Sequence, residues 1–417
     1  MRYPPRRMIP TAARTDLRRW AVDGTPYIVG GTIVAALGAY VFQVIGARTL
    51  GAAAFDPVTA LLTVHFLVFT VLLLPVEQFE IRRLTLGRMG SAWAVGGVVA
   101  AGAVGAATFT FFSRDRYFAG EWDYVLIGVV AVSANALMAL ARGRLAGERR
   151  FRAYGLVSGV VATVRVGLAV VFLKLAATGP SVGWALALAP LVVVAWLPFR
   201  RTEAASGSVR AEGAGRFLTG FVLASAASQV LLLLAPIAVG LISDEPGLMS
   251  VVFVTFQLYR LPIVMTQNLL ARLLPPFTSL AAAGREDLLR RWAKRFALAA
   301  LVLSPIAAVG GGLWGPAVVR LLFGAEFEPS WEVAALSAAG TVLAAVSLLA
   351  GQVLVARGRT MLLAAAWVVG FAVAVAALIP SFEAPGVRVS QAFVLGEGAA
   401  LAAILAFALR RRRPAEQ

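Results

Sequence analysis

Two arginines, Arg165 and Arg260, have the greatest potential for unusual chemistry in this sequence, because each lies near the middle of a long apolar segment. A guanidinium group stays charged and holds phosphate oxygens through paired N–H donors. Exposing such a charge to lipid at mid-membrane costs about 2.5–3.5 kcal/mol on insertion scales. We therefore expect both arginines to face a central cavity, where they would attract a phosphate or diphosphate anion.

Polar side chains accompany Arg260 at helical spacing. Gln257 precedes it by three positions, and Gln267 and Asn268 follow it by seven and eight, so the four residues share one face of a helix. Gln229 lies on the preceding apolar segment. We predict that these side chains and the two arginines form the substrate-binding set for a diphosphate.

Three other ionisable residues, His65, Glu77 and Glu397, lie in or at the ends of apolar segments. They are candidates for ion coupling or gating. Two structural interpretations stay open beside this one. A single histidine is often a hydrogen-bonded core residue, and Glu397 could neutralise Arg165 as a structural ion pair.

Membrane helices must position these residues, because the composition excludes a soluble protein. Of the 417 residues, 60% are hydrophobic and 14% are charged, against roughly 25% charged in an average soluble protein. The apolar blocks approach the ~20 residues that a helix needs to cross a bilayer. We predict an all-α polytopic membrane protein with twelve transmembrane helices. The predicted spans are 27–46, 57–76, 91–112, 123–141, 154–173, 182–199, 216–242, 249–270, 296–322, 331–356, 361–379 and 390–409.

Basic residues are distributed unequally between alternate connections: thirty lie in the tails and in every second connection, and six lie in the others. Because basic loops stay in the cytoplasm, we predict a protein of the bacterial inner membrane with both termini cytoplasmic. The net charge of +17 then reflects topology and attraction to anionic membrane lipids, not a nucleic-acid partner. With no cysteine and one histidine, no metal or other cofactor is expected.

The polar Ser/Gly-rich segment 200–215 divides the chain into two halves of six predicted helices. The sequence Ala-Arg-Gly-Arg ends the fourth helix at 141–144 and the tenth at 356–359, the equivalent place in the second half. Such halves would be parallel repeats, as in many transporters. The predicted organisation is a basic N-tail (1–26), an N-lobe (27–199), a cytoplasmic linker (200–215), a C-lobe (216–409) and a basic C-tail (410–417).

Short motifs in a consistent order carry a resemblance to a known superfamily. Residues 46–55 (GARTLGAAAF) are similar to its R-x-L-G-x-x-x-F entry to the second helix, and 321–327 (LLFGAEF) to its L-F-G-x-x-[FY] after the ninth. Residues 143–151 (GRLAGERRF), 75–78 (PVEQ) and 259–277, which runs from YRLP to LPPF, resemble other segments of it. The chain resembles the MATE-like (MOP) superfamily, in its polysaccharide and lipid-linked oligosaccharide flippase branch.

This resemblance implies two six-helix lobes around a central V-shaped cavity that opens alternately to each membrane face. It implies polyprenyl-diphosphate-linked glycans as substrates and a cationic cavity, with Arg260 on a helix that lines it. Drug-exporting members of the superfamily usually carry carboxylates for cation coupling in their lobes. The first predicted span of this chain contains no Asp or Glu.

The sequence therefore predicts an O-antigen-flippase-like transporter, not an enzyme. Its predicted substrate is a lipid-linked oligosaccharide precursor of cell-surface polysaccharide. We expect a monomer that works beside polysaccharide-assembly enzymes. Two alternatives stay open: a multidrug or cation antiporter of the same fold, and a membrane glycosyltransferase or polymerase, which would need acidic residues on long outer loops.

Overall fold

The computed structural model describes residues 11–85, 92–148, 150–196, 226, 229, 231, 233, 235–260, 263, 266, 276–281, 283–379 and 383–410. These residues contain helices and no strand. Nine of the described helices are long and apolar enough to cross a membrane, and shorter apolar helices accompany them. Every predicted span contains described helix, so the all-α polytopic membrane fold is confirmed.

We number the helices by the predicted spans, with α1–α6 as the N-lobe and α7–α12 as the C-lobe. Helix α2 includes a π-helical turn (Phe69–Leu73), and α6 ends in a 3₁₀ segment (Ala189–Trp196). The N-lobe helices are α1 (Thr11–Leu50), α2 (Ala52–Val68 continuing as Leu74–Thr85), α3 (Ala92–Phe112), α4 (Asp123–Gly147), α5 (Phe151–Leu175) and α6 (Gly179–Leu188). The C-lobe helices are α7 (Ala235–Ile242), α8 (Leu248–Leu258), α9 (Glu286–Phe323), α10 (Trp331–Ala356), α11 (Thr360–Ala377) and α12 (Pro385–Leu409).

Two helices extend well beyond the spans predicted for them. Helix α1 begins at Thr11 instead of 27, and α9 begins at Glu286 instead of 296. In both cases the added turns are rich in arginine. Hydropathy locates the apolar part of a helix only, whereas the backbone hydrogen bonds continue into the polar flank, where good helix formers such as Arg and Ala keep it regular.

The helix ends form two groups, which we call the Arg-rich end and the Arg-poor end. The Arg-rich end includes the α4–α5 connection, the start of α9 and the α10–α11 connection. The Arg-poor end includes the α1–α2, α3–α4, α7–α8 and α9–α10 connections. The linker predicted at 200–215 lies outside the described residues.

The buried core is shared at one end and divided at the other. Toward the Arg-poor end, one cluster joins both lobes, with Phe55 of α2 and Val252 of α8 among its fully buried members. Toward the Arg-rich end, separate clusters form around Val157 in the N-lobe and Leu354 in the C-lobe. Among the described residues, the lobes thus hold together at the Arg-poor end and each has its own core at the other.

The repeated Ala-Arg-Gly-Arg motifs both lie at the Arg-rich end, the first inside the last two turns of α4 and the second at the point where α10 ends. Arg142 at the end of α4 forms an ion pair with Glu77 of α2 (3.4 Å), and Arg357 at the end of α10 forms one with Glu286 of α9 (2.6 Å). The Arg357 side chain is 3% exposed and also donates to the Ala408 carbonyl (2.6 Å). In each lobe, the first arginine of the motif therefore ties two helices together.

Helices α11 and α12 approach closely where small residues face each other. A Cβ atom on Gly370 would lie 2.7 Å from the Gly396 carbonyl oxygen and 2.7 Å from the Ala400 Cβ. Small residues in such stripes allow membrane helices to pack backbone to backbone. The close contact between α11 and α12 therefore requires a glycine, which has no Cβ atom, at position 370.

We expect Gly370→Ala to destabilise the protein by about 1–3 kcal/mol, because the added methyl group would force the α11 and α12 backbones apart. The measurement is the thermal unfolding midpoint of purified protein in detergent. Gly398→Ala is the matched control on α12, since the atom nearest to its Cβ would be 3.9 Å away. An equal or higher midpoint for Gly370→Ala than for Gly398→Ala would contradict this expectation.

Candidate functional site

A cavity of about 70 Å³ lies between the lobes, part-way along the helices. Helix α2 of the N-lobe contributes one wall, and C-lobe helices contribute the others. Arg260, two residues beyond the end of α8, is the only residue with an ionisable side chain among the described lining residues. The lining residues are Thr63, Phe66, Thr70, Gln229, Leu233, Pro236, Phe253, Phe256, Gln257, Arg260, Ile263, Thr341 and Phe393.

The Arg260 guanidinium is held by one amide and one aromatic ring. Its Nη1 donates a hydrogen bond to Gln257 Oε1 (3.2 Å), and its Cζ lies 4.7 Å from the centre of the Phe66 ring on α2. A cation over an aromatic face gains about 0.5–2 kcal/mol. Among the described residues Arg260 has no ion pair, so most of its donor capacity is available to a ligand in the cavity.

Gln257 links the two lobes beside this arginine. Its side-chain Nε2 donates to Gln43 Oε1 of α1 (3.3 Å), and its backbone carbonyl accepts a hydrogen bond from the Tyr40 hydroxyl, also of α1. The same amide therefore orients Arg260 through Oε1 and contacts the N-lobe through Nε2. Any separation of α1 from α8 would release the amide that positions the guanidinium.

The other polar lining groups are neutral. Thr63 and Thr70 donate their hydroxyl protons to carbonyls one turn earlier in α2, Thr59 at 2.8 Å and Phe66 at 2.7 Å. Gln229 of the C-lobe is buried at the wall. The predicted lining residues Gln267 and Asn268 lie outside the described residues.

The second mid-membrane arginine, Arg165, is placed differently from Arg260. Its Cζ lies 6.0 Å from the centre of the Phe42 ring of α1, and it is not among the described residues that line the cavity. Helix α1 packs along α5 and contacts α8 through Gln43, so Arg165 lies against α1. Packing between helices, which hydropathy does not report, turns this arginine toward α1.

The three coupling candidates lie in different surroundings. His65 of α2 is buried beside the rings of Phe66 (5.8 Å) and Phe69 (6.4 Å) and interacts electrostatically with Arg165. Glu397 of α12 is fully buried, and neither carboxylate oxygen has a hydrogen-bond partner among the described residues. No ion pair joins Glu397 to Arg165 in the described chain, so the neutralising pair considered from sequence is not formed.

Glu77, the third candidate, belongs to a buried triad at the Arg-rich end of the N-lobe. The Tyr154 hydroxyl donates to Glu77 Oε1 (2.9 Å) and also receives a hydrogen bond from Arg142, which lies 3.4 Å from the same carboxylate oxygen. The Glu77 side chain is 2% exposed. This placement ties Glu77 to α4 and α5, and a role in coupling stays a prediction.

Sequence and structure comparisons extend these observations. No family model matches the sequence. Protein Rv1510 of Mycobacterium tuberculosis (strain ATCC 25618 / H37Rv), which is uncharacterized, is 29% identical over 282 residues, covering 62% of this chain and 60% of its own length. The chain thus spans about 60% of the length of the curated relatives it matches.

Solved structures of membrane transporters superpose over most of the chain. The structure of lipid II flippase MurJ in an inward closed conformation gives a TM-score of 0.65 at 11% identity, over 90% of this chain and 86% of that one. An inward-facing multidrug resistance MATE family transporter gives a TM-score of 0.65 at 13% identity, over 90% of this chain and 93% of that one. An outward-facing multidrug resistance MATE family transporter gives a TM-score of 0.55 at 14% identity, over 93% of this chain and 96% of that one.

The chain has a MATE-like fold. The fold implied by the sequence motifs is thereby confirmed, and the neighbours are described as transporters and flippases, not as enzymes. Within this MATE-like fold, the cavity around Arg260 lies at the contact between the lobes. A cavity of this kind can hold an anion by charge and by N–H donors, while its aromatic and aliphatic walls suit an apolar group.

Sequence reasoning missed the N-lobe residues that complete this site. Tyr40 and Gln43 of α1 hold Gln257, and Phe66 of α2 stacks on Arg260. Each contact joins residues about two hundred positions apart in the chain. The sequence offered one signal for Tyr40 and Gln43, since they are two polar residues inside an apolar helix. It offered no signal for Phe66, which is one of many apolar residues in its helix.

Proposed function

We propose that this MOP-type multi-pass membrane transporter is a flippase for polyprenyl-diphosphate-linked oligosaccharides, precursors of cell-surface polysaccharide, in the inner membrane of a bacterium. The observation that carries the proposal is the isolated Arg260 in a cavity between the lobes, without an acidic residue among the described lining residues. A buried cation without a counter-ion is costly. An anionic headgroup that enters the cavity would supply the missing charge.

The neutral lining groups support the same class of substrate. Amide and hydroxyl groups from Gln229, Gln257 and Thr63 can hydrogen-bond sugar hydroxyls, whereas they offer no negative charge to a cationic drug. Phe253 and Phe256 provide apolar surface for the ring faces of sugars or for the first units of the lipid chain. Arg165, which is not among the described lining residues, would add positive potential instead of a direct contact.

The division of the core supports an alternating-access mechanism. With the Arg-rich end assigned to the cytoplasm by the charge rule, the shared core closes the outer half, and the separate cores leave the lobes free to part on the cytoplasmic side. The headgroup would enter from the cytoplasm and bind at Arg260. Rocking of the lobes would then expose it outside. A membrane potential that is positive outside favours outward movement of an anion by about 2.3 kcal/mol per charge per 100 mV.

The test is translocation by the purified protein in lipid vesicles. A fluorescent short-chain polyprenyl-diphosphate sugar is incorporated, and a membrane-impermeant quencher reports how fast labelled headgroups cross the bilayer. We expect crossing at least tenfold faster than in protein-free vesicles, and no acceleration of a matched lipid with an uncharged headgroup.

The same vesicles distinguish the drug-exporter alternative. Ethidium, a lipophilic cation, is expected to cross no faster than in protein-free vesicles under a proton or sodium gradient. Gradient-driven ethidium transport together with unaccelerated diphosphate lipid would overturn the proposal and favour the antiporter.

A further inference from the structure

We propose that Tyr259 is a positioning residue, which keeps Arg260 directed at the cavity by anchoring the end of α8 in a notch of α9. The notch is formed by Gly311 and Gly315, and we call it the glycine notch. This role rests on the proposed function above, since it concerns the cation that would bind the diphosphate. Tyr259 itself is not among the described residues that line the cavity, so it acts through its neighbour.

The regular hydrogen bonding of α8 stops just before Arg260. The helix ends at Leu258, and Tyr259 follows with φ −87° and ψ 0°. The Tyr259 N–H donates to the carbonyl of Gln257, two residues earlier, whereas a regular α-helix uses the carbonyl four residues earlier. The backbone ladder therefore fixes the direction of Arg260 less firmly than it would inside a helix, and side-chain contacts must supply the rest.

The side chain of Tyr259 reaches α9 and not the cavity. Its hydroxyl donates a hydrogen bond to the Gly311 carbonyl (3.2 Å). Consecutive residues are about 100° apart around a helical turn, so one rotation of this segment can place Tyr259 against α9 and Arg260 in the cavity. The contact that holds the phenol in place thereby sets the direction of the guanidinium.

The two glycines of the notch give the phenol both its space and its acceptor. A Cβ atom on Gly315 would lie 2.1 Å from the Tyr259 hydroxyl, and one on Gly311 would lie 3.2 Å from it. A helical side chain covers the turn that precedes it, so any side chain at position 315 would lie over the Gly311 carbonyl. The glycine notch thus leaves this carbonyl open to Tyr259.

The glycine notch is part of a closely packed pair of helices. A Cβ atom on Gly311 would lie 2.5 Å from the Ala338 Cβ and 2.9 Å from the Ala334 carbonyl oxygen, both on α10. Such contacts bring helix backbones together without intervening side chains. Tyr259 is therefore anchored to two helices that support each other, and its acceptor is a backbone atom with little freedom to move.

Tyr259 and Gln257 hold Arg260 from different lobes. Gln257 contacts Gln43 of α1 in the N-lobe, and this contact is lost when α1 and α8 separate. Tyr259 and Gly311 both belong to the C-lobe, so their hydrogen bond does not depend on how the lobes are arranged. The tyrosine anchor therefore keeps Arg260 directed at the cavity while the lobes move.

The absence of cysteine from the sequence allows a direct test, because a single introduced thiol is unique. The measurement is the rate at which Arg260→Cys in purified protein reacts with sulfonatoethyl methanethiosulfonate, a charged, water-soluble reagent. Thr70→Cys, on the α2 wall of the same cavity, gives the reference rate. The ratio of the two rates reports whether position 260 faces the water of the cavity, whereas general loosening of the protein would change both rates.

Three substitutions at the anchor are compared with one control. Tyr259→Ala and Gly315→Ala are each expected to lower the ratio at least tenfold, the second because its methyl group would displace the phenol hydroxyl. Tyr259→Phe keeps the ring and loses the hydrogen bond, so we expect a fall of about threefold. Gly310→Ala is the matched control on α9 and should leave the ratio unchanged, since the nearest atom to its Cβ, from Trp314, would be 3.6 Å away.

A ratio within twofold of the parent, or higher, in Tyr259→Ala and Gly315→Ala would overturn the anchor. Where one of these variants does not fold, the other decides. Where neither folds, Tyr259→Phe, which loses a single oxygen atom, decides by the same criterion.

The thiol measurement also separates this inference from the proposed function. No substrate is present, so a tenfold fall in the ratio supports the anchor even if the diphosphate lipid is not transported. Conversely, an unchanged ratio removes the positioning role of Tyr259 and leaves the vesicle assay of the diphosphate lipid unaffected.

Discussion

Replacing Arg260 with alanine is expected to slow translocation of a diphosphate-linked lipid about 10- to 100-fold. The variant removes the one charged group among the described cavity-lining residues. Hydrogen bonds to charged groups contribute about 1.5–3 kcal/mol each, and 1.4 kcal/mol corresponds to a factor of ten. The measurement is the initial rate of headgroup crossing in the vesicle assay, normalised to the amount of folded protein.

Two more substitutions at this position give a graded series. Arg260→Glu should be slower than Arg260→Ala, because a carboxylate repels the diphosphate. Arg260→Lys should retain part of the rate, since it keeps the charge and loses the planar pair of donors. Lys294→Ala, an exposed basic residue of α9, is the control and should leave the rate unchanged. Wild-type rates in both Arg260→Ala and Arg260→Glu would refute the assignment of Arg260.

Replacing Arg142 with methionine is expected to destabilise the protein by about 3–5 kcal/mol, the largest stability effect that we predict. The change leaves the Glu77 carboxylate, 2% exposed, without its cation inside the N-lobe. Breaking one half of a buried ion pair costs this much because the remaining charge is desolvated and uncompensated. The measurement is the fraction of protein that stays monodisperse in detergent after heating through a temperature series.

A double substitution checks the cause of this loss. The pair is incompletely hydrogen-bonded, since Glu77 Oε2 and Arg142 Nε have no partners among the described residues. Arg142→Met combined with Glu77→Leu should therefore recover most of the stability, as apolar replacements of buried ion pairs often do. Arg291→Ala is the control: its pair with Asp287 is exposed (2.6 Å) and should contribute less than 1 kcal/mol. A double variant no more stable than Arg142→Met alone would show that the unpaired Glu77 carboxylate is not the cause of the lost stability.

Local patterns in the sequence predicted the helices well. Every predicted span contains described helix. The second Ala-Arg-Gly-Arg motif begins at the last residue of α10, Ala356, whereas α4 continues past the first motif to Gly147. In the structure Arg260 and Gln257 of the predicted polar face line a cavity. These features depend on hydropathy and on residues within a few turns of each other, which sequence spacing reports directly.

The contacts between lobes could not be predicted in this way. The carboxylate that caps α8 comes from Asp56, and the one that meets the start of α2 comes from Glu326. In each case the carboxylate and the helix start that it contacts are nearly two hundred positions or more apart in the chain. Gly51 and Gly247 indicated turns, but a missing cap does not reveal which distant side chain supplies it.

The sequence by itself determined that the chain crosses a membrane many times as helices. Lipid offers no hydrogen bonds, so each apolar segment must satisfy its own backbone groups, and only a helix does so within one segment. The tertiary structure alone decided which of two similar mid-membrane arginines faces the cavity. That choice depends on the rotation of α5 and α8 about their axes, which is set by packing against α1 and α2, so that Arg260 meets open space beside Phe66 while Arg165 meets Phe42.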